Sequence, residues 1–231
     1  PRLDRYELSP EVIRDEILKH KPNIVMLCSP NNPTGTPLSL SCIEAAYEAV
    51  TEATGGVVVV DEAYAEFRRA GTRTAFELLA EYPNVIVSRT MSKAFAFAGA
   101  RVGYMAADPA VIDAFRLVRL PYHLSALTQA AAVGALAHAP EMLAMVDDIK
   151  TQRDRLVIEL ARLGFTPYPS AANFVLFGNV ANPHETFEKL LAQGIIIRDI
   201  GIPNHLRVTA GTEAETTEFL NALAELNGTL A

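Results

Sequence analysis

Lys93, Asp61, Asn32 and Tyr64 are the residues whose types could do chemistry together in this sequence. The lysine offers a nucleophilic or basic amine, the aspartate an acceptor and counter-charge, and the amide and phenol two hydrogen-bond donors. Singly, each has a plain structural explanation. Asp61 can cap the turn after an apolar run, and Lys93 can be a solvated surface lysine. Asn32 precedes Pro33, a pair that favours turn initiation, and Tyr64 can pack its ring. Arg101 and Arg207 can each close a surface ion pair worth little. The set gains weight only if one framework gathers these residues.

The elements that would gather them are legible as a pattern. Ser9 to Lys21 predicts a helix with Ser9 as N-cap, Pro10 as first residue, and Val12, Ile13, Ile17 and Leu18 at helical spacing. Asn23 to Cys28 is a continuously apolar run, expected of a strand buried on both faces. The loop Ser29-Pro30-Asn31-Asn32-Pro33-Thr34-Gly35 follows, then a helix from Ser39 to Ala53. Gly56 to Asp61 repeats the strand signal, Phe76 to Tyr82 predicts a short helix, and Asn84 to Arg89 a third buried strand. Gly103 to Ala106 predicts a weaker fourth. Apolar strands alternating with helices imply an α/β fold, a mostly parallel sheet with helices on both faces. In such sheets ligands sit beyond the carboxyl ends of the strands. Asn31/Asn32, Asp61 to Tyr64, and Arg89 to Lys93 all fall there.

From Ser125 the character changes. Ser125 to His138 and Pro140 to Leu163 predict two helices. Asn173 to Phe177, a helix at Glu185 to Gln193, Ile195 to Arg198, Leu206 to Thr209 and a helix from Glu213 follow in an α+β order. The expected division is a larger domain over residues 1–139 and a smaller α+β C-terminal domain over 140–231. No internal repeat or low-complexity linker is visible.

Composition narrows the partners. The 231 residues are 50% apolar and 20% charged, ordinary for a soluble enzyme, and the formal charge of −7 provides no basic footprint. Neither nucleic acid nor an anionic membrane is expected as a partner. Cys28 and Cys42 lack metal-ligand spacing, so the expectation is a reduced, cytoplasmic protein with no metal. No apolar stretch is long enough to span a bilayer, and Pro1-Arg2-Leu3-Asp4 does not read as a signal peptide.

Four segments together resemble one family. Ser29 to Gly35, Asp61-Glu62-Ala63-Tyr64, Thr90-Met91-Ser92-Lys93-Ala94-Phe95 and Ala98 to Tyr104 are similar, in order, to the signatures of fold-type-I, pyridoxal-phosphate-dependent aminotransferases. Within that superfamily, Arg89–Tyr104, Leu117–Gln129 and Asn173–Arg207 resemble histidinol-phosphate aminotransferases. The resemblance covers essentially the whole chain. It implies that Lys93 carries pyridoxal 5′-phosphate as a Schiff base and then moves the proton. It implies that Asp61 keeps the pyridine nitrogen protonated, that Asn32 and Tyr64 donate to the ring's phenolate oxygen, and that Arg101, Thr90 and Ser92 hold the phosphate. Arg207, and with it Arg198, would receive the substrate's anionic end. That end is a phosphate in histidinol phosphate, with 2-oxoglutarate and glutamate as the other substrate pair in histidine biosynthesis.

The resemblance also marks a departure. Family members begin with a long segment, including a Gly-rich loop and a ring-stacking aromatic, for which this sequence has no counterpart. The expectation is that these residues alone bind cofactor poorly and turn over little. Such enzymes are usually homodimers, and the apolar Leu117 to Leu124 suits either an interface or a buried interdomain segment. An aromatic amino-acid aminotransferase shares most of these motifs and is the nearest rival. A ligand-sensing regulator of the same fold is a second class. A serine hydrolase is disfavoured, because Thr90 stands three before Lys93 and no Gly-x-Ser-x-Gly elbow exists.

Overall fold

Ser9 opens the first helix as its type predicts. The computed structural model describes residues 5–229, so the expectation placed on Pro1-Arg2-Leu3-Asp4 lies outside the described residues. The Ser9 hydroxyl accepts from the Val12 N–H, and α1 (Pro10–His20) begins with a proline that has no N–H to leave orphaned. Lys21, in the left-handed region, ends it. β1 (Ile24–Cys28), α2 (Leu40–Ala53), β2 (Val57–Asp61), β3 (Val85–Thr90) and β4 (Gly103–Ala106) follow, and then α3 (Pro109–Val118) and α4 (Ala126–Ala137).

The four strands form one sheet in the order β1-β2-β3-β4, parallel except for β4, which runs antiparallel to β3. The α/β class and mostly parallel sheet are therefore as expected. Its core sets Ile13 and Ile17 of α1 and Ile43, Ala46 and Val50 of α2 against Val58, Val60, Val85 and Val87. Each buried valine of this kind contributes about 1.5–3 kcal/mol relative to exposure.

Three local expectations are corrected. β1 is not buried on both faces: Leu27 is buried, but Ile24 and Met26 are 61% and 75% exposed. β1 is an edge strand, and α1 and α2 cover only the face bearing Val25 and Leu27. The expected helix at Phe76–Tyr82 is a short 3-10 turn, Ala75–Leu78, opened by a Thr74/Glu77 capping box. Pro83 disfavours helical backbone at Tyr82 and cuts the turn short. Of the two readings of Leu117 to Leu124, the buried interdomain segment is the one corrected, since Leu117, Val118, Leu120 and Tyr122 stand exposed.

The chain divides into two compact units. The first is the chain as far as Pro30 together with Pro37–Leu143. The second is Asn31–Thr36 and the chain from Ala144 onward. α5 (Ala139–Arg162) leads into the second, which adds β5 (Thr166–Pro167), β6 (Phe174–Gly178), α6 (Pro183–Ala192), β7 (Leu206–Thr209) and α7 (Glu213–Thr229). β5, β6 and β7 form an antiparallel sheet in that order. The central β6 is buried at every position, and Phe177 packs with Leu156, Leu160, Leu190 and Phe219.

Ile195 to Arg198 was expected to add a strand here and adds only one bridge, Arg198 opposite Arg207. The Ile195 N–H is spent on the Leu190 carbonyl, closing α6 after the left-handed Gly194. That leaves the strand only its last residue to pair.

Candidate active site

In the first unit the polar residues follow from strand register. β2 ends in Asp61, paired with Ser88 of β3, and β3 ends in Thr90, paired with Gly103 of β4. Asp61 Oδ1 accepts from the Ala63 N–H at 3.0 Å, a turn that carries the chain from the strand end to Tyr64. Nothing among the described residues donates to the other Asp61 oxygen. Tyr64 is buried, and Lys93 Nζ stands 5.4 Å from its ring centroid. The Lys93 side chain is exposed and forms no ion pair among the described residues.

The segment from Thr90 to Lys93 is a tight turn. Thr90 Oγ1 accepts from the Ser92 N–H at 3.1 Å, and Met91 and Phe97 close it through Val102 O and Met91 O. Arg101 sits in the left-handed region after a 3-10 turn at Ala98–Ala100, its guanidinium bonded to Ala98 O at 2.9 Å and otherwise exposed. Asp61, Tyr64, Thr90, Ser92, Lys93 and Arg101 thus occupy the chain that leaves β2 and β3 at their carboxyl ends.

The second unit brings together the other three. The loop Asn31–Thr36 contains the cis bond Asn32–Pro33 and a left-handed Gly35. Gly35 O accepts from the Ala171 N–H at 2.8 Å, and a Cβ on Gly35 would lie 2.2 Å from Ser170 Oγ. Glycine is required there by both conformation and space. Asn32 Oδ1 accepts a hydrogen bond from Arg207 Nη1, and the Arg207 guanidinium lies 4.7 Å over the Phe174 ring. Arg198 and Arg207 exchange backbone hydrogen bonds at 2.9 Å in each direction. Directly opposed residues project to the same face, where like charges repel. The Arg198 guanidinium is exposed and has no partner among the described residues.

Sequence reasoning missed a neighbouring cluster, the buried Glu62 with the half-buried Thr74, Arg89 and Glu66. Glu62 accepts from Arg89 Nη2 at 2.7 Å and from Thr74 Oγ1 at 2.6 Å. Burial pushes the Glu66 carboxyl up, against the pull of its own backbone hydrogen bond and Arg89. The available signal was two opposite charges, each ending an apolar run and each next to a residue already singled out. No group of three or more histidine, cysteine, aspartate or glutamate side chains able to hold a metal occurs among the described residues.

A mostly parallel sheet that presents a lysine, a carboxylate and hydroxyls beyond its strand ends defines a class, and sequence comparison agrees with it. The chain belongs to the aminotransferase class I and II family, whose profile matches residues 4–223. Among curated relatives, it is 58% identical over 229 residues to the histidinol-phosphate aminotransferase of Paenarthrobacter aurescens (strain TC1), covering 99% of this chain and 61% of that one. It is 57% identical over 223 residues to the histidinol-phosphate aminotransferase of Frankia casuarinae, covering 96% and 56%. The chain thus spans about three fifths of the length of these relatives. Among solved structures, it resembles histidinol-phosphate aminotransferase from Sinorhizobium meliloti in complex with pyridoxal-5′-phosphate, with a TM-score of 0.87 and 30% identity. That match covers 100% of this chain and 64% of that one.

Proposed function

We propose that the protein is a pyridoxal-phosphate-dependent aminotransferase that moves an amino group between histidinol phosphate and 2-oxoglutarate or glutamate in histidine biosynthesis. In this reading it is a cytoplasmic homodimer, with a cofactor-binding larger domain over residues 1–139 and a smaller one over 140–231.

The donor set suits the cofactor. An aldehyde needs an accessible amine, and Lys93 is exposed and outside any ion pair among the described residues. A basic ring nitrogen needs a carboxylate, and Asp61 keeps one oxygen outside its turn. A phosphate needs a guanidinium and hydroxyls, which Arg101, Thr90 and Ser92 supply. When bound, pyridoxal phosphate supplies an electron-accepting ring that stabilises negative charge at the substrate's Cα.

The chain's residues do the rest. Lys93 takes the Cα proton and returns it. Asp61 would keep a proton on the ring nitrogen of the bound cofactor, because a carboxylate beside that atom favours its charged form. Asn32 and Tyr64 donate to the ring oxygen, and Arg101, Thr90 and Ser92 anchor the phosphate. Arg207 and Arg198 receive the substrate's own phosphate.

The observation that carries the substrate assignment is the Arg198–Arg207 bridge. Two guanidinium side chains on directly opposed residues repel each other, and a doubly charged anion relieves that repulsion better than a carboxylate. The identity to relatives named histidinol-phosphate aminotransferases supports the same reading.

The test is a borohydride reduction of the purified full-length protein, followed by peptide mapping, together with assays on histidinol phosphate and phenylalanine. The expected result is a cofactor label on Lys93 and strong preference for histidinol phosphate. A label elsewhere, or preference for phenylalanine, overturns it.

A further inference from the structure

Behind the strand end that carries Asp61 lies the Glu62 cluster, to which the proposed function assigns nothing. Glu62, only 3% exposed, accepts from Thr74 Oγ1 at 2.6 Å, the Ala75 N–H at 2.7 Å, Arg89 Nε at 3.1 Å and Arg89 Nη2 at 2.7 Å. Arg89 Nη2 also donates to Thr74 Oγ1 at 2.8 Å, and its guanidinium lies 4.4 Å over the Phe76 ring. Burial alone would lower the Arg89 pKa, but the hydrogen bond and charge of Glu62, with Glu66, hold it above its ordinary value.

Register gives this cluster a purpose. The Glu62 N–H donates to Ser88 O at 2.9 Å, the backbone bond that flanks the Asp61–Ser88 pair on its carboxyl side. Side chains alternate along a strand. Glu62 and Arg89 therefore occupy one face, and Asp61, Ser88 and Thr90 the other.

We propose that Glu62 and Arg89 are a positioning pair for the reaction. From the opposite face they lock the carboxyl ends of β2 and β3 together beyond the last backbone rung. Asp61 at one end is thereby held in register with Thr90 at the other, and with the Ser92–Lys93 turn that Thr90 anchors. The inference rests on the reading of the site given above. The pair touches neither cofactor nor substrate and acts through Asp61 and Thr90. Charge-assisted hydrogen bonds in a largely buried cluster suit this task, because they are short and directional.

The same framework explains why both members are charged. An apolar pair could fill the space but would not specify one register between two strand ends. A forked guanidinium on a carboxylate does, and replacing arginine by lysine removes the fork while keeping the charge.

The test compares Arg89→Lys, Glu62→Gln and the milder Thr74→Val with wild type, all on the full-length chain. Five quantities are read: the Tm of the apoprotein, the Kd for pyridoxal phosphate, the pH midpoint of the bound cofactor's visible band, and kcat and KM for the amino donor. The expected result for Arg89→Lys is a Kd weaker by about tenfold or more, as when a partner behind a ligand is lost. Its pH midpoint moves by about one unit as the charge of Asp61 shifts relative to the ring. Its kcat falls on the order of a hundredfold, while KM for the amino donor stays near wild type. Thr74→Val moves the same quantities in the same direction by less.

Variants with a lowered Tm but wild-type Kd and midpoint make the pair merely structural and overturn the inference. Should Glu62→Gln not fold, Arg89→Lys and Thr74→Val decide it by the same comparison. A wild-type protein that takes up no cofactor on Lys93 overturns the underlying reading and the inference with it. Normal uptake in wild type, matched by the variants, overturns the inference alone.

Discussion

Asn32 Oδ1 accepts a hydrogen bond from Arg207 Nη1, a contact between residues 175 positions apart in sequence. The amide proposed to face the cofactor ring is thus bonded to the arginine proposed to face the substrate's anion. A change at either residue is expected to be felt at the other. In a double-mutant cycle with Asn32→Ala and Arg207→Lys, kcat/KM should show a coupling of about 1–3 kcal/mol. Strict additivity would mean that the contact has no functional weight.

Arg198→Ala should raise KM for a phosphorylated amino donor by about tenfold, the loss of one charge-assisted hydrogen bond. KM for glutamate should change less. The difference should shrink as salt is added, since Arg198 is exposed and its field is screened. Steady-state kinetics with both substrates at two ionic strengths would check this.

Lys93→Ala should lower kcat by on the order of a thousandfold or more, because the proton-transfer group is gone. Its apoprotein Tm should stay near wild type, since the ammonium is exposed, forms no ion pair among the described residues and lies 5.4 Å from the Tyr64 ring centroid. Such a contact is worth about 0.5–1 kcal/mol at an exposed site. A large fall in Tm would assign Lys93 a structural role instead.

Stability should depend on pH through Glu66. Burial raises its folded-state value above the ordinary carboxylate value of 4.5, and its Oε2 is buried without a hydrogen-bond partner. The folded protein therefore binds this proton more tightly than the unfolded chain. The contribution is fully present below the unfolded value and is lost as pH rises through the raised folded value. Glu66→Gln should flatten that slope and be the more stable protein above the window. Urea midpoints measured across the acidic range would show it.

Gly35→Ala should destabilise the protein by about 3 kcal/mol, combining a left-handed conformation with overpacking. Gly35 has φ of 76°, and the added carbon would lie 2.7 Å from Ser170 Cβ. Thermal unfolding would measure it. KM should rise too, because Asn32 shares the loop.

Much of the framework was legible because it is local. Ser9 caps the helix that its type and position imply, the helices expected from Ser39 and Ser125 form with those serines as their caps, and the valine runs of β2 and β3 form parallel strands. The exposed face of β1 was not legible, since an apolar run says nothing about whether a second layer covers it. Ile195 to Arg198 misled for a related reason: its β-branched composition is real, but closing α6 claims its first N–H. At the site, residue types at strand ends singled out Lys93, Asp61, Asn32 and Tyr64, whereas the role expected of Arg101 came from the family resemblance alone. The Glu62–Arg89 pair escaped notice because its partners lie 27 positions apart and meet only through sheet register.

The loop Asn31–Thr36 belongs to the unit formed otherwise by the chain from Ala144 onward. That makes the unit discontinuous in sequence, with a consequence for recombination. A chimera that exchanges everything after Ala144 between two relatives would import a foreign Ser170 and Arg207 against a resident Gly35 and Asn32. Compatible crossovers must carry the six-residue loop along with the distant C-terminal part. Substitutions in the two segments are therefore inherited best as a set, though all of Pro37–Leu143 separates them.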